Sequence, residues 1–313
     1  MRINSVMPAV NPARGEAGGV ALILVVWVMV ILVAIVGEFS YSMRTEINIT
    51  RNFKEEEEAY QLALAGIEQA KIEMLSAKDP AVMYLNEEGI LVFDEEAEEP
   101  EREGELGKGS FKYTITDEDA KLNINKASVG QLKNLFLDTG VDITGIDTIV
   151  DSIMDWRDKN DLHRLNGAEE DYYSSLEEPY SCKDGPFDVI EELLLVKGMT
   201  LEILYGSEDG ENIYEGVAKY LTVYGTGNIN INTAPALVLE ARLGTENANN
   251  IITRREEGPV TTPVANEKVS SSFFTIISTG ANADGTIKRT VKAIMQKKDK
   301  NLETVYWNDN FIG

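Results

Sequence analysis

An acidic stretch in the middle of the chain carries the residue types that bind a hard metal ion. Two groups of oxygen-bearing side chains lie within "DWRDKNDLHRLNGAEEDYY", namely Asp155, Asp158, Asn160 and Asp161, followed by Glu169, Glu170 and Asp171. Asn166 and Gly167 provide a turn between the two groups. Calcium takes about six to eight oxygen ligands, which carboxylates and amides on a turned loop supply. The stretch therefore contains the chemistry of a calcium site.

The spacing within this stretch is not that of an EF-hand. The third expected ligand position falls on Leu162, and no glycine follows at the sixth position. Arg157 and Arg164 lie in the same stretch and could pair with its carboxylates. The residues alone leave two interpretations open, a calcium site and a solvated acidic loop paired with arginines.

Composition excludes several classes of function. The 313 residues carry a formal net charge of −24, from 53 Asp and Glu against 29 Lys and Arg, and such a field repels the phosphates of nucleic acids. His163 is the one histidine and Cys182 the one cysteine, which argues against histidine-rich zinc sites and against serine or cysteine triads. We expect no nucleic-acid partner and no enzyme, and we expect Cys182 to be a small, half-buried apolar residue.

The first predicted structural element of the chain is an apolar run near the N-terminus. From Val20 to Gly37 the chain has 18 residues without a charge, which as a helix cover about 27 Å of a hydrocarbon core of about 30 Å. The run therefore predicts a membrane span. Arginines at Arg2, Arg14, Arg44 and Arg51 flank it on both sides, so they do not fix its orientation.

The helix is predicted to continue to Leu75. Small and apolar residues recur there at helical spacing, namely Ala59, Leu62, Ala63, Gly66, Ile67, Ala70 and Met74. Strict alternation predicts a strand over Ser110–Thr116, and two more strands are expected over Phe273–Ser278 and Thr290–Met295, joined by a turn-rich loop from Gly280 to Gly285. Strands at both ends of a helical middle predict an α+β body.

The helical middle contains a distant internal repeat. Leu122–Leu132 and Gly227–Leu239 share the pattern Ile-Asn-x-Ala before a helix start. Ser128 and Gln131 have the spacing of a capping box, and Thr233 is expected to cap a helix whose first turn holds Pro235. Similar entries occur in helix-hairpin-helix DNA modules, but the residues near the hairpin glycines are Asp138, Asp142 and Glu246. We therefore expect a likeness of packing and not of DNA binding.

Several separated motifs together resemble the K-class minor pseudopilins of bacterial type II secretion systems (general secretion pathway protein K). They are the apolar span after a glycine, the "SYSMRTE" that follows it, "DWRDKNDLHRLNGAEEDYY", "GPFDVIEELLLVKGMT" and "NINTAPALVL". The motifs occur in the right order and cover nearly the whole mature chain.

The resemblance implies an α+β, pilin-like fold, in which a long N-terminal helix packs on a small antiparallel sheet and a large, mostly helical domain is inserted before the last strands. It implies a prepilin-type leader over 1–19, the transmembrane part of the helix over 20–37, and a helical stem with the start of the sheet over 38–116. The inserted domain is then 117–225, and 226–313 holds a second helical repeat and the C-terminal strands.

The resemblance also implies a function and partners. Members of this family lie at the tip of the periplasmic pseudopilus, start its assembly with other minor pseudopilins, and support export of folded proteins across the outer membrane. The N-terminal helix would contact the other minor pseudopilins, and the major pseudopilin, the prepilin peptidase and the inner membrane are further expected partners. The leader would be cytoplasmic and the body periplasmic. Family members hold calcium in the inserted domain, and the expected ligands here are Asp158, Asn160, Asp161, Glu169 and Asp171.

Prepilin processing is expected between Gly19 and Val20, because a glycine directly precedes the apolar run there. Counted from Val20, position +5 is Leu24, where major pilins carry a glutamate that pairs with the neighbouring subunit's N-terminal amine. A subunit without this carboxylate cannot neutralise that amine, and we therefore expect this chain at the tip.

Other classes of protein stay as alternatives. A minor type IV pilin that initiates pilus assembly shares the leader and the helix. A membrane-anchored DNA-uptake receptor is disfavoured by the charge, and a hydrolase with paired carboxylates would have to use the acidic stretch.

Overall fold

The computed structural model of the chain describes residues 16–76, 83–86, 88–93, 100–207 and 214–312. The chain divides into two units, residues 1–57 and residues 58–313. Of the predicted leader, residues 1–15 lie outside the described residues.

One helix, α1, runs from Glu16 to Ser76, which confirms the prediction of a continuous helix from Val20 to Leu75. The chain has no proline between Pro12 and Pro80 that would interrupt it. In the first unit the large apolar side chains of α1 are exposed, for example Val33 at 70%. Among the described helices, α1 is the one that is long and apolar enough to cross a membrane. A helix surface made of exposed apolar side chains is favourable in the hydrocarbon core of a bilayer.

The strands in the described ranges form one main sheet and two small ones. They are β1 (Tyr84–Leu85), β2 (Leu91–Val92), β3 (Glu103–Leu106), β4 (Gly109–Asp117), β5 (Leu122–Asn123), β6 (Leu221–Thr222), β7 (Phe273–Ala281), β8 (Lys288–Lys298) and β9 (Asn301–Asn308). The main sheet is antiparallel, in the order β3-β4-β7-β8-β9. β1 pairs with β2 and β5 pairs with β6. The three predicted strands are confirmed as parts of β4, β7 and β8, but β7 continues to Ala281 and so includes the first two residues of the predicted loop.

Small residues bring α1 and the main sheet into close contact within the second unit. The predicted helix face is buried over Ala59, Leu62, Ala63, Ile67, Ala70 and Met74. A Cβ added to Gly66 would lie 2.2 Å from Ser278 Oγ, and one added to Gly280 would lie 2.1 Å from the Ala59 carbonyl oxygen. Neither position has room for a side chain. At Gly280 the sheet backbone therefore approaches the helix backbone, at Gly66 the helix backbone approaches side chains of the sheet, and the apolar faces of helix and sheet close into one core.

The α-helices of the second unit after α1 lie between β4 and β7. They are α2 (Val129–Asp138), α3 (Ile143–Arg157), α4 (Glu170–Tyr173), α5 (Leu201–Tyr205), α6 (Ala236–Leu243) and α7 (Thr245–Glu256). Helix α2 packs against both α3 and α6, and α6 packs against α7. Their buried residues form a core of their own, from Ala120 to Val269, separate from the core between α1 and the sheet. The α+β fold, with a helix on an antiparallel sheet and an inserted helical region, is confirmed.

Three consecutive buried acids lie where the chain leaves the sheet for the helices. They are Asp117, Glu118 and Asp119, each at most 4% exposed. Most of their donors come from chain that is distant in sequence: Thr233 and Ser271 for Asp117, Thr222 and Thr275 for Glu118, and the Ser272 amide and Lys268 for Asp119. Two donors are local, the Asp119 amide for Asp117 and Lys121 for Glu118. These bonds fasten the end of β4 to the segment that leads back into β7.

The predicted role of Thr233 as a helix cap is wrong, whereas the capping box of Ser128 and Gln131 is confirmed. Helix α6 begins at Ala236, and its N-cap is Pro235, which makes no side-chain cap bond. The Thr233 hydroxyl instead donates to Asp117 Oδ2 at 2.5 Å. A buried carboxylate needs donors more than a solvent-accessible helix end does, and this partner is 116 residues away in sequence.

We predict that Gly66→Ala lowers the free energy of unfolding by about 1 to 3 kcal/mol, because the new Cβ overpacks against Ser278. The matched control is Gly130→Ala in α2, where an added Cβ meets nothing within 4 Å and helix propensity raises stability by about 0.5 to 1 kcal/mol. Urea denaturation of the purified full-length chain in detergent measures both. Equal effects of the two substitutions would contradict the close contact.

A second prediction concerns the pH dependence of stability. Burial raises the pKa of Asp117 to about 6, from 3.8 in the unfolded chain, against the opposing effect of the Ser271 and Thr233 hydroxyl bonds. The stability that this group contributes is therefore complete below pH 3.8 and is lost as the pH rises through 6. The Asp117→Asn variant has no such pH-dependent contribution. The difference in free energy of unfolding, variant minus native, should therefore be about 2 kcal/mol more favourable to the variant at pH 7.5 than at pH 4.5. Urea denaturation at both pH values tests this, and a difference that does not change with pH would refute it.

Candidate metal centre

The acidic stretch folds around the end of α3, where three carboxylates converge. Asp155 lies in the last turn of α3 and Asp158 is its C-cap, while Glu169 directly precedes α4. One carboxylate oxygen from each of the three lies within 4.8 Å of the others. Glu169 also forms a second such group with Cys182 Sγ and Asp184. The two groups share Glu169 and together form the candidate centre.

The centre contains buried carboxylate oxygens that accept no N–H or O–H hydrogen bond. Asp155 is 0% exposed and Glu169 is 2% exposed. Asp155 Oδ2 accepts a 2.9 Å bond from the Arg164 amide, but Asp155 Oδ1 and both oxygens of Glu169 accept no bond from any N–H or O–H group of the described residues. Leaving a buried charged acceptor unpaired is costly. These oxygens therefore fit a bound cation.

Burial disfavours the charged forms of the groups in the centre. It raises the pKa of Glu169 to about 7, and the charges of Asp155, Asp158 and Asp184 raise it further against a bond from the Cys182 thiol. Burial also raises the pKa of Asp155 and that of Cys182 to about 12. A divalent cation would supply the positive charge that keeps the two carboxyl groups ionised. Oxygen atoms, and not the single sulfur of Cys182, make up most of the possible ligands of the centre.

The donor set therefore suits a hard divalent cation. Asp155, Asp158 and Glu169 present carboxylate oxygens, and Asp184 presents a further buried oxygen, Oδ1, that lacks a partner. Calcium accepts such oxygens together with carbonyls and waters in an irregular shell. Asp155 lies on the buried face of α3, next to Trp156. This burial separates it from the exposed acids of the stretch, and the sequence pattern does not show it.

The structure brings together two of the five predicted ligands, Asp158 and Glu169. Asn160 is exposed and donates to Asp158 Oδ1 at 2.6 Å. Asp161 and Asp171 are exposed and lie in neither group of possible ligands. Asp155, Cys182 and Asp184 belong to the groups without having been predicted as ligands. The set of five ligands stays a prediction.

The arginines of the acidic stretch do not both pair with its carboxylates. Arg157 turns away and donates through Nη1 to the Ile124 carbonyl oxygen and through Nη2 to that of Ala127, the latter at 2.7 Å. Arg164 Nε lies 3.6 Å from Asp155 Oδ1, longer than a hydrogen bond, and its side chain is 42% exposed. An exposed guanidinium at this distance offsets little of the buried charge. The interpretation as an arginine-paired loop therefore does not account for the buried carboxylate of Glu169, which neither arginine neutralises.

A side-chain carboxylate binds the free amides at the start of α3. Asp142, the N-cap of α3, accepts bonds from the amides of Thr144 at 2.9 Å and Gly145 at 3.0 Å. In helix-hairpin-helix modules, free amides at such a helix start bind phosphate. Here a side chain of the protein already accepts their bonds, and the absence of DNA binding stays a prediction.

Comparisons with known proteins agree on one family. Residues 113–206 match the family model described as "Type II secretion system (T2SS), protein K". A protein of Escherichia coli strain K12, named as a type II secretion system protein K, is 26% identical over 239 residues, which are 70% of this chain and 66% of the relative. The matched part thus spans slightly less than two thirds of that relative's length.

A solved structure has the same fold. It is a chain of the crystal structure of the GspK–GspI–GspJ complex from the type 2 secretion system of enterotoxigenic Escherichia coli, with a TM-score of 0.59 and 17% identity. The match covers 86% of this chain and 99% of that chain. Family model, sequence relative and solved structure agree, and the resemblance of this chain to the K-class minor pseudopilins of type II secretion systems is confirmed.

Proposed function

We propose that this protein is a minor pseudopilin that occupies the tip of a type II secretion pseudopilus and starts its assembly with other minor pseudopilins. The observation that carries the proposal is the large helical region inserted between β4 and β7 of a pilin-like sheet. A minor pseudopilin needs the helix and the sheet for assembly. The inserted region adds bulk that a subunit within the shaft would have to accommodate.

The N-terminal helix has the chemistry of an assembly element. The exposed apolar side chains of α1 between Val20 and Val36 suit first the inner membrane and then the helices of neighbouring subunits. Cleavage by a prepilin peptidase between Gly19 and Val20 would leave an amine directly before this apolar segment. With the leader on the cytoplasmic side, the second unit, residues 58–313, would lie in the periplasm.

The absence of a carboxylate at Leu24 supports a position at the tip. A shaft subunit must neutralise the N-terminal amine of its neighbour within an apolar core, where an unpaired charge is costly. The run from Val20 to Gly37 contains no acid that could do so. A subunit at the tip has no such neighbour above it. Its expected partners are other minor pseudopilins, which the neighbouring solved complex contains, and the major pseudopilin beneath them.

We also propose that the candidate centre holds calcium through Asp155, Asp158 and Glu169. The unpartnered buried oxygens of Asp155 and Glu169 support this assignment. Bound calcium would stabilise the folded state of the inserted region, because the unfolded chain does not hold the ligands together. Export of folded proteins across the outer membrane would then depend on a tip that folds when calcium is present.

We predict that Leu24→Glu, which supplies the missing carboxylate at position +5, lets a fraction of the subunits enter the shaft in spite of the bulk of the inserted region. In cells that express the full set of pseudopilins and the prepilin peptidase, gold labelling should find the native chain at pseudopilus ends and Leu24→Glu along the length as well. The matched control is Val25→Glu, which also introduces one carboxylate into the apolar segment but places it one residue away from position +5. Mass spectrometry should give Val20 as the mature N-terminus in all three. Shaft labelling of the native chain would contradict the tip position.

We predict that calcium at about 100 times its dissociation constant stabilises the native chain by about 2.7 kcal/mol, or about 5 to 10 °C in melting temperature, relative to a chelator. Glu169→Gln should abolish this shift, because it removes the buried charge that both ligand groups share. Glu178→Gln, an exposed acid of the same segment, should leave it intact. An equal shift in the Glu169→Gln and native chains would rule out the centre as the calcium site.

A further inference from the structure

Two segments of the helical region form the same turn. The Asn123 side chain accepts a bond from the Asn125 amide at 2.9 Å, and Asn230 accepts one from the Asn232 amide at 3.0 Å. The backbone repeats as well, since the amides of Ala127 and Ala234 donate to the carbonyl oxygens of Asn123 and Asn230 at 2.8 and 3.0 Å. The weak sequence repeat Ile-Asn-x-Ala thus corresponds to one three-dimensional turn that occurs twice. Each turn leads directly into a helix, α2 or α6.

The second asparagine of each turn holds a distant peptide in the same way. Asn125 accepts from the Phe187 amide at 2.8 Å and donates to its carbonyl oxygen at 2.9 Å. Asn232 accepts from the Val260 amide at 2.8 Å and donates to its carbonyl oxygen at 3.0 Å. Each clamped residue follows a Gly-Pro pair, Gly185-Pro186 in the first case and Gly258-Pro259 in the second. We call these two contacts the asparagine clamps.

An arginine at the end of the second helix completes the correspondence. Arg157 closes α3 and donates to the carbonyl oxygens of Ile124 and Ala127. Arg255, in the last turn of α7, donates to the equivalent carbonyl oxygens of Ile231 and Ala234, the latter at 2.8 Å. Turn, two helices, arginine and clamp therefore occur twice in the same order. A chance likeness of packing would not repeat both the donors and the acceptors.

The two copies differ in the length of the segment that connects the arginine to the residue held by the asparagine clamp. Residues 158–184, which number 27, separate Arg157 from Gly185, whereas the two residues 256–257 separate Arg255 from Gly258. The longer connection contains Asp158, Glu169, Cys182 and Asp184. Its ends meet, since the Gly185 amide donates to the Trp156 carbonyl oxygen at 3.3 Å. The acidic stretch is therefore an insertion into one copy of a duplicated unit.

We infer that Arg157 is a positioning residue for the cation centre, because it fastens the base of this insertion to the turn at Ile124–Ala127. Arg157 lies between Asp155 and Asp158, so its two bonds fix the backbone from which both carboxylates project. The asparagine clamp at Phe187 fixes the other end of the insertion on the same turn. In the second copy the corresponding neighbours of Arg255 are Thr253 and Glu256, and no cluster of possible ligands forms there among the described residues.

The inference rests on the proposed calcium site, and a pair of matched variants tests it. Arg157→Lys and Arg255→Lys each keep the charge but replace a planar fork by a single ammonium, which cannot reproduce bonds to two carbonyl oxygens. Both should lower the melting temperature of the calcium-free protein. Only Arg157→Lys should also weaken calcium binding, by about tenfold or more, in calorimetric titrations of the full-length chain in detergent well below both melting temperatures.

The outcomes separate the inference from the proposal on which it rests. Absence of calcium binding by the native chain would overturn the calcium site and leave the duplicated unit intact. Binding by the native chain with equal dissociation constants in the two variants would overturn the positioning role of Arg157. If Arg157→Lys does not fold, Asn125→Asp and Asn232→Asp make the same comparison at the asparagine clamps, since each loses the amide donor to the clamped carbonyl oxygen. Only Asn125→Asp should weaken calcium binding.

Discussion

The buried acids at the end of β4 are the constraint on which the rest of the body depends. Asp117, Glu118 and Asp119 lie out of water, so each needs donors from the protein, and most of these donors come from the later part of the inserted region and from the start of β7. Burying three adjacent carboxyl groups is tolerable because the chain closes on them. The insertion therefore leaves and rejoins the sheet at one fixed place. The bonds to these acids hold the end of β4 next to the start of β7, although the inserted region separates the two strands in sequence.

The two cores of the second unit meet different demands. Between α1 and the sheet, glycine and alanine allow backbones to approach, so the contact has little tolerance for added atoms. In the inserted region, larger side chains such as Tyr173 and Phe136 fill the space between short helices. Trp156 packs edge-on against Tyr173 at 5.1 Å, which anchors the acidic insertion in this second core. The metal centre is thus built on an aromatic support as well as on the hydrogen bonds at its base.

Features with a local cause were predictable from the sequence. The continuous helix α1, the strands β4, β7 and β8 and the capping box at Ser128 depend on periodicity or on neighbours within a few residues, and each was confirmed. Thr233 was assigned to the wrong partner because Asp117 becomes its neighbour only through folding. Burial separates Asp155 and Glu169 from Asp161 and Asp171, although all four are acids in one stretch, and burial is a property of the tertiary structure. The short pattern Ile-Asn-x-Ala indicated a repeat, but the arginines and clamped peptides that complete it are too dispersed in sequence to be recognised beforehand.

The clamp between Asn232 and Val260 has a consequence for how such a protein can change. It closes the second copy with two residues where the first copy carries 27, so the unit folds around either length. Because the unit is present twice, the connection between arginine and clamp in one copy can lengthen and acquire new ligands. The other copy meanwhile keeps the short connection. The two-residue connection 256–257, between Arg255 and Gly258, is accordingly a natural graft site on which a protein engineer could mount a second binding loop.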